Sequence, residues 1–301
     1  MKTYVTIMKK LFPKYSMVSC CRSSELRIVS KGNPQQSVEF PKPVNGSLWS
    51  NLSDESVECA INTIKPYCPA SRQKRLLEVL SQRTTNIRFV YENPSNPENA
   101  FAALRNLDAF GVQDVDIIMN DDMYSPGWLR TRKLKMRSAI GSQQWLSVTH
   151  HTSTSECLSK LRAGGYLIAS TDLHGDSVPV TEVAWSEVCK GKKVAVVMGN
   201  EESGISPTVR EAADMLVVLP MRGFAESLNL SSATAALCAV LQGQGMMIPD
   251  LSPALKRRIL LTWMSRSVPS SLELLRRAGF DVIGKRRSLL FDRIGPFSTK
   301  P

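Results

Sequence analysis

The sequence predicts an α/β protein with a mostly parallel sheet and flanking helices. Three observations carry that expectation. Short apolar runs recur at Ile87–Glu92, Val115–Met119, Leu167–Thr171, Val194–Met198 and Leu216–Pro220. Helical periodicity falls between them. Several of the runs, Val194-Ala-Val-Val-Met198 above all, lack polar alternation. That is the pattern of strands buried on both faces, as in a parallel sheet.

The elements follow in order. Ser71-Arg-Gln-Lys-Arg-Leu-Leu-Glu-Val-Leu80 puts Leu76, Leu77 and Leu80 on one helical face, with Ser71 placed to cap it. The strand Ile87–Glu92 is broken by Asn93-Pro-Ser-Asn-Pro97. A helix over Asn99–Phe110 comes next, capped by Asn99 and closed by Gly111. Further helices are expected at Ser155–Ala163, Pro207–Ala213 and Leu228–Gln242, the last rich in small residues. Beyond Pro249, Ser252–Ser265 and Ser270–Ala278 read as helices.

Composition divides the chain into three parts. Residues 1–24 carry Lys2, Lys9, Lys10, Lys14 and Arg22, and no acid appears before Glu25. Such a leader has the composition of an organelle transit peptide, which predicts import into a mitochondrion or plastid. A plain basic tail on a cytoplasmic protein is the other reading. Residues 1–69 are expected to be largely disordered, with one short helix around Asp54–Ile64. Residues 70–249 form the α/β domain, and 250–301 a basic helical C-terminal extension.

The chain has 301 residues, 43% of them hydrophobic, enough for a sizeable core. No run approaches the roughly 18 consecutive apolar residues of a membrane span. There are 38 Lys and Arg against 27 Asp and Glu, a net charge of +11, which favours an anionic partner such as nucleic acid. Seven scattered Cys, with no CxxC pair, and three His argue against a disulfide framework and a metal centre.

Three segments place unusual residue types at strand-to-helix turns. The first runs Asn99-Ala-Phe-Ala-Ala-Leu-Arg105-Asn-Leu-Asp-Ala-Phe-Gly111. The second is Gly199-Asn-Glu201-Glu-Ser-Gly204-Ile-Ser206, directly after a buried strand, where ligand crevices form in α/β sheets. It is neither GxGxxG nor a Walker loop. The third is Leu219-Pro-Met221-Arg-Gly223-Phe-Ala-Glu-Ser227-Leu-Asn229, opening a helix at Ser227 or Asn229.

In this order, with Gly141-Ser-Gln-Gln-Trp145 and Ala169-Ser-Thr171-Asp-Leu173 between, these segments resemble the SpoU/TrmH family of the SPOUT superfamily. Its members are S-adenosylmethionine-dependent RNA ribose 2′-O-methyltransferases. The likeness runs from about residue 72 to 245 and is strongest to the tRNA guanosine-18 2′-O-methyltransferase branch. It implies a C-terminal trefoil knot, against the general rule of unknotted chains, and an obligate homodimer. Asn106 stands where the family usually has Thr, and Glu226 where Gln is common.

The resemblance also implies a site. Arg105 would contact the RNA phosphate and the 2′-oxygen, with Asn99 positioning Arg105 or the ribose. Glu201 would orient Arg105, in a bidentate pair, or the substrate. Ser227 and Asn229 would close the site near the transferred methyl group. Thr171, Leu173, Gly199, Asn200, Leu219, Met221 and Leu228 would hold S-adenosylmethionine. No metal is required, because the sulfonium already activates the methyl carbon. A basic segment, Arg130, Arg132, Lys133, Lys135 and Arg137, and the cluster Lys285, Arg286 and Arg287 would track RNA phosphates. The partner expected is RNA, most of all tRNA. An rRNA methyltransferase of the same family and a catalytically silent RNA-binding member are the alternatives.

Overall fold

The computed structural model describes residues 49, 52–95, 97–120, 142–173 and 175–280. The expected RNA-tracking residues Arg130, Arg132, Lys133, Lys135, Arg137, Lys285, Arg286 and Arg287 lie outside them, as does the leader through residue 48.

In chain order the helices α1 (Asp54–Ile64) and α2 (Ala70–Ser81) precede β1 (Ile87–Glu92). Then come α3 (Pro97–Ala109), β2 (Asp114–Ile118), β3 (Ser147–His151), α4 (Thr154–Ala163), β4 (Tyr166–Thr171) and β5 (Val178–Pro179). They are followed by α5 (Trp185–Cys189), β6 (Lys193–Met198), α6 (Pro207–Ala212), β7 (Met215–Val218), α7 (Leu230–Gly243), α8 (Pro253–Ser267) and α9 (Ser271–Arg277). The seven strands form one sheet, ordered β3-β2-β1-β6-β4-β7-β5. Every pairing is parallel.

The middle strand is β6, whose Val194 to Met198 are all buried. Its unalternating apolar run needs cover on both faces and has it. On one face Phe89, Tyr91 and Val196 pack with Leu104 and Leu107 of α3 and Leu237, Cys238 and Leu241 of α7. On the other, Val90, Ala195 and Val197 meet Leu158 and Leu161 of α4 and Val209 of α6. Each such buried Val, Leu or Phe contributes about 1.5–3 kcal/mol of transfer free energy.

Hydroxyl caps start several helices. Ser153, Ser206 and Ser252 accept from backbone N–H groups of α4, α6 and α8. Gly111 closes α3 at φ +80, where a Cβ would lie 2.7 Å from the Gln82 carbonyl oxygen. One expected cap is absent: α2 begins at Ala70 behind Pro69, with no side-chain cap, so Ser71 is inside the helix. The edge strands β3 and β5 and the short α5 were not anticipated. Edge pairing makes less demand on apolar pattern, and β3 reads Ser-Val-Thr-His-His.

The expected boundaries at 69/70 and 249/250 both fall within one packed helical cluster. Trp49, Val57, Ile61 and Ile64 pack with Leu76 and Leu80 of α2, Ile259, Leu261 and Trp263 of α8, and Leu275 of α9. Two bases of the Lys256-Arg-Arg run are engaged in this packing. Arg257 and Arg258 reach Asp54 at 3.1 and 2.8 Å, and Arg258 also donates to the Trp49 carbonyl at 2.6 Å. An amphipathic α1 cannot bury its stripe alone, so it recruits the C-terminal helices.

Candidate active site

In a parallel sheet all strand carboxyl ends share one edge. The adjacent strands β1, β6, β4 and β7 therefore deliver four loops side by side: Asn93–Ser95, Gly199–Gly204, Thr171–Leu173 and Leu219–Leu228. These loops hold the second and third segments singled out from sequence, and the first forms α3, which follows the loop after β1.

The loop after β6 is shaped first by Gly199. A Cβ there would lie 2.2 Å from the Gly204 carbon, so the two chain segments touch backbone to backbone. Asn200 bridges Gly204 in both directions at 2.9 Å, and its Oδ1 accepts from Glu202 N at 2.8 Å and Ser203 N at 3.0 Å. Its Nδ2 donates to the Asn93 carbonyl at 2.6 Å. Asn200 was expected to touch a cofactor, but these bonds engage it within the protein, where it shapes the loop. Behind it, buried Glu92 accepts from Ser206 N and Oγ at 2.9 and 2.7 Å and from Thr154 Oγ1 at 2.8 Å, fixing the start of α6.

Glu201 sits at the junction of the three segments. One carboxylate oxygen accepts from Ser95 N at 2.7 Å and Ser95 Oγ at 2.8 Å, the other from Asn99 Nδ2 at 3.0 Å. Burial alone would raise this carboxyl, but the bonds from Asn99 and Ser95 outweigh it and hold the group below its ordinary range. Asn99 Oδ1 in turn accepts from Asn229 Nδ2 at 3.1 Å, and Asn229 caps α7 by accepting from Ser231 N at 2.9 Å. Of the two caps proposed for this helix, Asn229 is the one used, and α7 starts at Leu230.

The expected Glu201–Arg105 pair is not formed. The reason is helical geometry. The helix α3 starts at Pro97, two residues before the expected cap, which puts Asn99 in its first turn. Six residues on, Arg105 is about 9 Å further along the axis and about 120° round it. Asn106, seven residues on, returns to the Asn99 face and donates to the Ser231 carbonyl at 2.7 Å and to its Oγ at 3.0 Å. Arg105 is exposed and makes no hydrogen bond or ion pair with the described residues. Its guanidinium is a permanent cation with five donors, open to an anionic ligand.

The remaining expected residues line the edge. Thr171 Oγ1 donates to the Val197 carbonyl at 3.4 Å, and Arg210 of α6 grips Asp172. Leu173 and Leu228 are 61% and 42% exposed, and Phe224 is fully so. Ser227 stands exposed in the loop before α7. No residue from 220 to 228 enters a backbone–backbone hydrogen bond among the described residues. Apolar surface beside unclaimed backbone donors and acceptors suits an adenosine group. Two cavities open elsewhere, one of 660 Å³ at the α1–α2 elbow and one of 180 Å³ below β4, and neither touches these loops.

Sequence reading missed Ser95, Glu92 and Asn106 as members of this centre. An acid ending an apolar strand was the one available signal, at Glu92. It also did not foresee buried Asp116, His151 and Cys157, whose ligand atoms lie within 4.8 Å of one another. Asp116 is already held there by His151 Nε2 at 2.8 Å and Arg88 at 2.8 Å, so the group closes as an ion-pair cluster. A guanidinium at that position opposes a second cation.

Comparison with known proteins places the fold in a family. The sequence profile of the SpoU rRNA Methylase family matches residues 86–239. A tRNA (guanosine(18)-2′-O)-methyltransferase of Aquifex aeolicus is 32% identical over 204 residues, 65% of this chain and 90% of that protein. One of Borreliella burgdorferi is 28% identical over 182 residues, 60% of this chain and 78% of the relative. The crystal structure of the A. aeolicus TrmH/SpoU tRNA modifying enzyme superposes with a TM-score of 0.54 at 30% identity, covering 66% of this chain and 97% of its own.

Proposed function

Since this chain belongs to the SpoU rRNA methylase family of RNA ribose methyltransferases, we propose that it methylates the 2′-hydroxyl of guanosine 18 in tRNA, using S-adenosylmethionine. The observation that carries the reading is the meeting of Asn99, Glu201 and Asn229, with an exposed Arg105 further along the same helix that has no partner among the described residues. The printed functions of the relatives from A. aeolicus and B. burgdorferi supply the choice of tRNA and nucleotide.

S-Adenosylmethionine supplies a methyl carbon already activated by a sulfonium. Thr171, Leu173, Gly199, Leu219, Met221 and Leu228 are the residues that would hold it, the leucines by apolar contact and the loops by backbone groups. Asn200 contributes by shaping the Gly199 turn. The rest falls to the chain's own side chains. A ribose hydroxyl is a very weak acid, so its oxygen needs stabilisation as the proton leaves. Arg105 provides it electrostatically and binds the neighbouring phosphate, past which the proton leaves to solvent. Asn99 and Asn229, locked to each other and to Glu201, orient the ribose, and Ser227 closes the approach.

The same reading makes the protein a homodimer with a knotted C-terminal helix α7. The fully exposed Phe224 supports a second copy as its cover.

The test is methyl transfer from labelled cofactor into tRNA, rRNA and a tRNA transcript with guanosine 18 replaced, followed by nucleoside mapping. Label in the ribose of guanosine 18, absent from the replaced transcript, is expected. Label in rRNA alone would overturn the tRNA assignment, and labelled tRNA mapping elsewhere would overturn the nucleotide.

A further inference from the structure

The Asn93–Pro97 break between β1 and α3 is gripped twice by the loop after β6. Asn200 holds its first residue through the Asn93 carbonyl at 2.6 Å. Glu201 is held by its third, Ser95, through both N–H and hydroxyl, at 2.7 and 2.8 Å on the same oxygen.

That anchorage has a consequence for direction. A carboxylate only accepts hydrogen bonds, and a backbone N–H only donates. The chain of bonds has one such group at each end. At one end Glu201 requires the NH2 of Asn99 to face it, leaving Oδ1 to accept from Asn229. At the other, Ser231 N requires Oδ1 of Asn229 to face α7, leaving its NH2 for Asn99. Both amides are thus oriented by unambiguous partners. The orientation holds only while Glu201 is ionised and in place, and Ser95 supplies two of the three side-chain-directed donors that keep it so.

We propose that Ser95 is a positioning residue for methyl transfer, acting through Glu201 to set the amides of Asn99 and Asn229 at the mouth of the site. The inference rests on the methyltransferase reading above. If Glu201 takes a proton, its new O–H competes as a donor, Asn99 is released to turn over, and Asn229 loses its acceptor. The relay therefore fails on the acid side, and removing the Ser95 hydroxyl brings that failure to higher pH.

The experiment compares Ser95→Ala and Ser95→Thr with wild type on tRNA in single turnover across pH, with cofactor affinity measured by calorimetry. Ser95→Ala is expected to slow the plateau rate about tenfold, by loosening the first contacts of the ribose. Its acid limb should move upward by about half to one pH unit, because a carboxylate that loses a donor protonates more readily. Cofactor affinity should stay within about twofold, since Ser95 lies outside the cofactor loops. Ser95→Thr, which keeps a hydroxyl, should restore both rate and limb. A Ser95→Ala enzyme with the wild-type plateau and acid limb overturns the proposal. So does a loss carried wholly by weakened cofactor binding. Wild-type enzyme inactive on every RNA would instead overturn the methyltransferase reading.

Discussion

Asn229 donates its side-chain amide to Oδ1 of Asn99 across 3.1 Å, joining residues 130 positions apart in the chain. The bond ties the first turn of α3 to the cap of α7, and Asn106 repeats the tie about two turns later through Ser231. Two helices that carry different segments of the site are thereby joined at two points. Arg105 stands on that helix but outside its bonded seam, with its charge exposed.

The first prediction concerns the loop after β6. Gly199→Ala places a Cβ 2.2 Å from the Gly204 carbon and 2.4 Å from Ile205 N, so backbone must move. A stability loss of about 1–3 kcal/mol is expected, with at least tenfold weaker cofactor binding, read by thermal melts and calorimetry. Gly204→Ala differs in kind: nothing lies within 4 Å of its Cβ, and only the φ of +70 opposes it. About 1–2 kcal/mol of strain is expected there. An unchanged Gly199→Ala protein would refute the close approach.

Acid should act through Glu201. Its folded carboxyl lies below the ordinary value. The stabilisation it brings is therefore present above the unfolded carboxyl value and lost as pH falls through the folded one. Glu201→Gln should flatten that part of the stability-versus-pH curve while slowing methyl transfer about a hundredfold. Denaturant titrations between pH 3 and 7 read the first effect. Equal pH slopes in the two proteins would contradict it.

Chelation should change neither cofactor affinity nor rate. The proposed chemistry places charge on Arg105 rather than on an ion, and the buried Asp116–His151 pair is already completed by Arg88. Calorimetry and label transfer with and without chelator check this. Activity lost to chelator and restored by added metal would refute it.

In solution the protein is expected as a dimer of about twice the 33.3 kDa chain mass. Light scattering at low concentration, paired with the activity assay, reads it, and a fully active monomer would contradict the expected interface.

Much of this was legible in the sequence because the signals were local. Unalternating runs such as Val194–Met198 marked doubly covered strands, and Gly111 marked a helix end. The residues of the three segments were found for the same reason. What stayed hidden depends on contacts between distant parts. The partner of Glu201 turned on the six-residue spacing in α3, which sets Arg105 about 120° round the helix from Asn99. Ser95 lay in a stretch that sequence marks only as a break. The α1 stripe was visible, but its cover came from α8 and α9, about 200 residues later. The strand β3, polar and at the sheet edge, offered no periodic signal at all.

The central claim is that Arg105 does chemistry rather than hold the cofactor. Arg105→Ala and Arg105→Lys, assayed in single turnover at saturating tRNA and cofactor, test it most directly. The account predicts a rate loss of about a hundred- to a thousandfold for Arg105→Ala, cofactor affinity nearly unchanged, and little rescue by Lys, whose ammonium cannot reproduce the planar fork. Single-turnover methylation by Arg105→Ala at the wild-type rate would contradict it.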